Sequence, residues 1–426
     1  MTYKDTLDFL FSSLPQFQRI GAAAYKNSLD TTLALDKYFD HPHKNFKVIH
    51  VGGTNGKGSV STMIQSVLVQ AGYKVGLYTS PHLTDFRERI TINSEMIPEQ
   101  EVTNFVMNHK DIIKTLKPSF FEMSVALAFD YFRNQNIDIA VIEVGMGGRL
   151  DSTNIVNPIA SVITNISYDH TLFLGNTLEK IAAEKAGIIK LNIPIVIGQT
   201  QPKIIQLFEE KAGKLMAQIY QADKRFKASV DTEDGKFVVV NDVENGVEYK
   251  LNMTLKGDYQ SYNLVTALAL IDIVKSQLNI SQAHIIEGLE KADIRGRWQT
   301  LGTEPLVICD TAHNVAGIRF VVEQIMRQSY KKLYVVLGAV SDKDVDEMLM
   351  LMPKGAYYLF TQASVERAMP AGELKKRAVD LGLNGIETDT VKEAFEKAMK
   401  RAKKNDMIFV GGSTFVVADL LEIMGK

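Results

Sequence analysis

The run Gly53-Thr-Asn-Gly-Lys-Gly-Ser59 carries the strongest chemical signal in the chain. Consecutive backbone N–H groups in such a loop form a concavity that binds anions. An apolar strand run before it and a helical run after it would add the positive end of a helix dipole. Lys57 can then reach the terminal phosphates of a nucleotide, and Ser59 can approach their oxygens or a metal. The loop departs from the common phosphate-loop pattern: Gly58 is inserted between Lys57 and Ser59, and Val51 stands where the first glycine is expected. The plain alternative, a glycine-rich turn with a solvated lysine, leaves the strand–loop–helix context unexplained.

Other candidates stand at or just past predicted strand ends, or in the segments between. Glu143 closes an apolar run and precedes Gly145-Met-Gly-Gly148. A carboxylate at that edge of a sheet, beside a phosphate loop, suits Mg2+; the alternative is a capping or salt-bridged glutamate. Ser80, in Tyr78-Thr-Ser-Pro-His82, offers a hydroxyl ligand, although that segment alone reads more simply as a turn serine before proline. His170 follows Asp169, which can orient its ring, and Lys185 lies in Ala183-Glu-Lys-Ala-Gly187. Taken singly, such a histidine is a hydrogen-bonded structural residue and such a lysine is solvated. In Asp310-Thr-Ala-His-Asn314, Asp310 can accept from ribose hydroxyls, and His313 and Asn314 can face the same cleft. Asn314 reads equally as a helix N-cap. Arg297 is either a phosphate clamp or a hinge arginine. Trp298, the single tryptophan, reads as packing.

These residues need elements to position them. Phe46–Val51, Lys74–Thr79, Ile137–Glu143 and Ile159–Thr164 read as strands. Helical patterns cover Ser59–Ala71, Glu99–Thr115 and Phe120–Asn134. Strand–helix alternation implies a mostly parallel sheet wrapped by helices. Between about 220 and 255 apolar and polar residues alternate around Asn245-Gly246, which predicts an antiparallel flap at the edge of the first domain. Helices are predicted over Tyr259–Lys275 and Ser281–Lys291. A second series follows, with strands at Leu306–Asp310, Leu333–Leu337, Ala356–Phe360 and Met407–Val410. The fold class is α/β: a P-loop-type, mostly parallel sheet domain over 1–295, then a smaller Rossmann-like α/β domain over 296–426, with the ligand site between them.

Length and composition agree with two or three globular domains: 426 residues, 46% apolar, 23% charged, formal net charge −2. That balance gives no reason to expect nucleic acid or an acidic membrane surface as a partner. Cys309 is the lone cysteine, which fits a reducing cytosol. The opening residues lack a basic region followed by a continuous apolar core, and no run approaches the ~18 apolar residues of a membrane span. A cytoplasmic location and a monomeric state are the expectation.

Taken together, GTNGKGS, TSPHL, EVGMGGRLDSTN, SYDH, AAEKAGIIK, GRWQ and DTAHN, in that order from about residue 46 to 420, resemble the dihydrofolate synthase/folylpolyglutamate synthase family of the Mur ligase superfamily. The resemblance implies an ATP-dependent amide ligase that adds L-glutamate to a reduced folate, and to dihydropteroate in some members, through an acyl phosphate. It implies that Gly53, Thr54, Asn55, Gly56, Lys57, Gly58 and Ser59 hold ATP phosphates. Ser80 and Glu143 would bind one Mg2+ ion, and His170 a second. Lys185 would be carbamylated, turning a cation into an anionic ligand. Lys57, Glu143, His170 and Lys185 are thus the expected catalytic set. Asn263, Arg297 and Asp310 match ATP-contacting positions. Ser119, Phe120, Phe121 and Glu122, with Leu150, Asp151 and Ser152, match segments lining the pterin pocket, and His313 and Ser413 match the glutamate side. The family's Leu-Gly-Leu-type stretch is replaced here by Lys26-Asn-Ser-Leu29.

Rival readings differ in what they require. A peptidoglycan-type Mur ligase would need a nucleotide-sugar domain ahead of the phosphate loop. A P-loop ATPase or switch would show the standard loop and a Walker-B aspartate where this chain has Glu143. A non-catalytic nucleotide-binding module would not need ligand-side residues on both domains.

Overall fold

The structure, a computed structural model, describes residues 1–15, 28–230, 237–341 and 344–425. The departure at Lys26-Asn27 and residues 231–236 of the expected flap lie outside them. Its first sheet has eight strands: β1 (Lys47–Gly52), β2 (Val75–Tyr78), β3 (Ile90–Ile92), β4 (Glu95–Met96), β5 (Ile139–Glu143), β6 (Ala160–Ile163), β7 (Ile195–Ile197) and β8 (Ile219–Gln221). The spatial order is β4-β3-β2-β5-β1-β6-β7-β8, parallel except for β3, which pairs antiparallel with both β2 and β4.

Alternation along the strands feeds two cores. Ile49, Val51, Val141 and Val162 pack with the helices Lys57–Gln70, Gln260–Val274 and Gln282–Lys291. Val48, Ala140 and Ile142 pack on the other face with the helix Phe120–Asn134. Strands covered on both faces by helices read as near-continuous apolar runs, as these do.

The expected flap is in part something else. Ile219–Gln221 joins the parallel sheet and Ala222–Arg225 forms a helical turn. Only β9 (Phe226–Val230), β10 (Val238–Asp242) and β11 (Val247–Leu251) are antiparallel. They bury Phe226, Val240, Tyr249 and Leu251 in the first core, so this sheet is packed rather than hanging at an edge. The helix expected over 99–115 is two, Glu99–Asn108 and Lys110–Leu116. The break falls at His109, whose ring packs on Phe39 and Phe105 and meets the Tyr38 hydroxyl at 3.1 Å. Tertiary contact here overrides helix continuity.

The second sheet contains β12 (Gln299–Thr303), β13 (Leu306–Asp310), β14 (Leu333–Leu337), β15 (Tyr357–Phe360), β16 (Gly385–Glu387) and β17 (Met407–Gly411), in the order β12-β13-β17-β14-β15-β16. Only β12 runs antiparallel. Among the described residues, no helix is long and apolar enough to cross a membrane.

Candidate functional site

The loop after β1 is built at the C-terminal edge of the first sheet, where parallel strands present their ligand-side residues. Val51 pairs with Glu143 and Gly52 with Ile163, so the ends of β1, β5 and β6 are level. Gly53 has φ +136, and a Cβ there would lie 1.9 Å from Thr164 Oγ1. Gly56 has φ +84, and its Cβ would lie 2.1 Å from Asn263 Oδ1. Both positions require glycine on conformation and on space. The Thr54 N–H donates to the Asn165 carbonyl at 2.9 Å and the Asn55 N–H to Asn165 Oδ1 at 3.1 Å. Thr164 Oγ1 donates to the Asn55 carbonyl at 2.6 Å. The loop is therefore fastened to the end of β6. Its helix starts at Lys57 without a side-chain cap, which leaves the first N–H groups for an anion.

Around the loop stand the charged candidates. Glu143 is 4% exposed, and the Ser80 N–H donates to its Oε2 at 3.0 Å. Burial pushes this carboxyl up, against the pull of Lys57, the Ser80 N–H, Arg297 and Arg89. Lys57 Nζ donates to the Thr54 carbonyl at 3.2 Å. Lys185, 5% exposed, donates to the Gly53 carbonyl at 2.8 Å. Burial and then the charge of Lys57 push its amine down to about 7, with Asp169 and Asp151 opposing. His170 has a left-handed backbone, φ 50, and its N–H donates to Asp169 Oδ1 at 2.8 Å.

The second sheet supplies the facing wall. Asp310 is buried at the end of β13 and accepts from the Tyr259 hydroxyl at 2.6 Å, the Trp298 N–H at 2.8 Å and the Ala312 N–H at 2.8 Å. Burial pushes its carboxyl up, and Arg297 with these donors pulls back. His313 Nε2 lies 3.5 Å from Asp169 Oδ2. Lys57, Glu143, Lys185, Asn263, Arg297 and His313 all border one cleft of about 430 Å³. Ser59, Ser80, His170 and Asp310 border it too.

Other expected residues do not themselves line this cleft, although Phe121 and Asp151 pack against its lining residue Gly145. Ser119 and Glu122 form a capping box, with Ser119 Oγ accepting from the Glu122 N–H and Glu122 Oε2 from the Ser119 N–H. Phe120 is core, with the Arg89 guanidinium 5.2 Å from its ring centre. Phe121 packs partly buried against the same core. Asp151 is buried and accepts from Met146, Thr153 and the Thr153 hydroxyl, which holds the 145–151 loop. Ser152 is buried beside Thr32, and Leu150 is partly buried. Ser413 is a buried N-cap accepting from the Phe415 N–H, while its neighbour Thr414 reaches the cleft. Sequence reading gave no role to Asn165 or Tyr259. Asn165 could have been found from its place just after an apolar strand; Tyr259 carried no such signal.

This geometry places the chain in a class. Residues 51–271 match the Mur ligase middle domain, and residues 296–414 the glutamate ligase domain of Mur ligases. The folylpolyglutamate synthase of Lacticaseibacillus casei is 30% identical over 98% of this chain and 97% of its own length. Escherichia coli FolC in complex with DHPP and ADP superposes with TM-score 0.89 at 28% identity, covering 100% of this chain and 98% of that one. A bifunctional folylpolyglutamate synthase/dihydrofolate synthase with Mn, AMPPNP and L-glutamate bound gives TM-score 0.86 at 28% identity over 100% and 98% of the two chains. The chain belongs to the folylpolyglutamate synthase/dihydrofolate synthase family. It spans about half the length of some curated relatives: a probable bifunctional folylpolyglutamate synthase/dihydropteroate synthase of Haloferax volcanii is 33% identical over 98% of this chain but 50% of that protein.

Proposed function

We propose that this chain joins L-glutamate to a folate-type carboxylate, using ATP to form an acyl phosphate. One observation carries the reading: the phosphate loop with Lys57, the Glu143 carboxylate and Lys185 face, across a single cleft, Arg297 and His313 from the other sheet. In this reading 1–295 is the ATP-binding domain and 296–426 the glutamate-side domain, and the protein is a cytoplasmic monomer acting on small molecules.

The donor set fits Mg2+. Glu143 is a buried carboxylate that meets one hydrogen-bond donor among the described residues, the Ser80 N–H. No group of three or more His, Cys, Asp or Glu is arranged around a metal among the described residues. Mg2+ is commonly held by one or two protein ligands with phosphates and water. Ser80 and Glu143 would hold one ion, and His170 with a carbamylated Lys185 a second. When bound, the ions neutralise charge on the transferring phosphate and the attacking oxygen. Lys57 and the loop N–H groups stabilise charge on the phosphates. Arg297 adds charge from the opposite wall, and closure of the second domain would keep water from the activated acyl group.

The test is mass spectrometry of a reaction containing Mg-ATP, glutamate, dihydropteroate and tetrahydrofolate. Gain of one glutamate by dihydropteroate establishes dihydrofolate synthase activity, gain by tetrahydrofolate folylpolyglutamate synthase activity, and gain by both a bifunctional enzyme. No gain by either, with ATP still consumed, defeats the folate reading. The Lys57→Ala variant should fold and lose turnover by at least about a hundredfold.

A further inference from the structure

The side chain of Asn314 makes more hydrogen bonds than its cap requires. Its Oδ1 accepts from the Gly317 N–H at 2.9 Å, capping the helix Val315–Arg327. The same oxygen accepts from Asn55 Nδ2 at 3.2 Å. Its Nδ2 donates to Asn55 Oδ1 at 2.9 Å and to Asp169 Oδ2 at 3.2 Å. A carboxamide offers two N–H donors and two acceptor lone pairs, so all four are used. Turning the amide over would set its NH2 against the Gly317 N–H, so the network fixes one orientation. Asn314 is 5% exposed. A buried polar network that is fully satisfied holds one arrangement rigidly.

A helix cap needs only the oxygen, which serine or aspartate supplies as well. The two N–H donors are surplus to capping, and both reach the first domain, to partners 259 and 145 residues away. Asn55 belongs to the phosphate loop. Asp169 splits its carboxylate: Oδ1 accepts from the His170 N–H at 2.8 Å, and Oδ2 faces Asn314 and His313.

We propose that Asn314 is a positioning residue that locks the second domain onto the phosphate loop and the His170 loop, so that Arg297 and His313 stand over the phosphates only while the Asn55–Asn314 pair is made. What the lock serves rests on the ligase reading; the lock itself does not.

Asn314→Ser and Asn314→Asp both retain the cap. A residue that merely caps would leave Asn314→Ser like the parent. The lock requires that kcat fall roughly ten- to a hundredfold in Asn314→Ser. It requires a larger loss in Asn314→Asp, which sets a second carboxylate against Asp169. Combining Asn55→Ala with Asn314→Ser should slow the enzyme no further than the worse single variant, because the two residues share one interaction. Parental kcat in Asn314→Ser, or losses that simply add, would overturn the proposal. Small-angle scattering with Mg-ADP gives an answer even if the parent shows no ligation. A larger radius of gyration in Asn314→Ser supports the lock, and equal radii refute it.

Discussion

Lys185 is placed where a lysine makes a poor cation. Burial and Lys57 bring its amine to about 7, so near neutrality a large share is uncharged. A neutral amine adds carbon dioxide to form a carbamate and releases a proton; an ammonium does not. The alternative role is a brace, since the amine donates to the Gly53 carbonyl and steadies the phosphate loop. Carbon-13 bicarbonate decides between them. A carbamate signal is expected in the parent and should be absent from Lys185→Ala, with parent turnover falling when carbon dioxide is stripped and recovering on its return. A parent that keeps full activity without carbon dioxide and shows no signal has only the brace. At this scale the sequence was informative where residue type and element end coincide, as for Glu143 at the close of β5 and Lys57 at the start of the helix that follows β1. It was silent on Asn55 pairing with Asn314, because that contact exists only once the two sheets dock. It was also silent on Asp310 being occupied by Tyr259, Trp298 and Ala312, for the same reason.

The hairpin β10–β11 shows how one carboxylate organises an element. Asp242 accepts from the Asn245 side chain and from the Glu244 and Asn245 N–H groups, which forms the turn. It also pairs with Arg225 at 3.0 Å, and Arg225 reaches Asp272 at 2.7 Å on the helix Gln260–Val274. Burial pushes the Asp242 carboxyl up, but the bonds from Arg225, Asn245 and the turn N–H groups outweigh it and hold it at about 2, below the usual 3.8. The folded chain therefore releases this proton more readily than the unfolded one. The resulting stability is full above the usual value and is lost as pH falls through 2. Asp242→Asn should cost about 1–3 kcal/mol near neutral pH by urea denaturation. The gap to the parent should close as pH falls from the usual carboxylate value toward 2. A gap that stays constant to low pH would mean the charge contributes nothing. Asn245-Gly246 announced this turn in the sequence through local chemistry alone. The three-residue strands β7 and β16 were not announced, because so short a run shows no period. Nor was β12, a polar edge strand containing Gly302.

Whether the nucleotide belongs to one domain or both is a question for the whole molecule, and the chain carries its own reporter. Trp298 is the single tryptophan, buried in the core of the second sheet with its ring 6.3 Å from Phe409. Its backbone N–H donates to Asp310, which in turn accepts from the Tyr259 hydroxyl beside the first domain's helix. Tryptophan fluorescence therefore follows unfolding of the second sheet, whereas circular dichroism follows both. A ligand bound only to the folded state stabilises what it touches by about 2.7 kcal/mol at a hundred times its Kd. If nucleotide is held by the Lys57 loop on one side and by Arg297 and Asp310 on the other, saturating Mg-ADP should raise both unfolding midpoints by several degrees and draw them together. A fluorescence midpoint that stays fixed while the dichroism midpoint climbs would assign the nucleotide to the first domain alone. The second sheet would then serve glutamate without touching ATP, and Arg297 would be a hinge residue rather than a phosphate clamp.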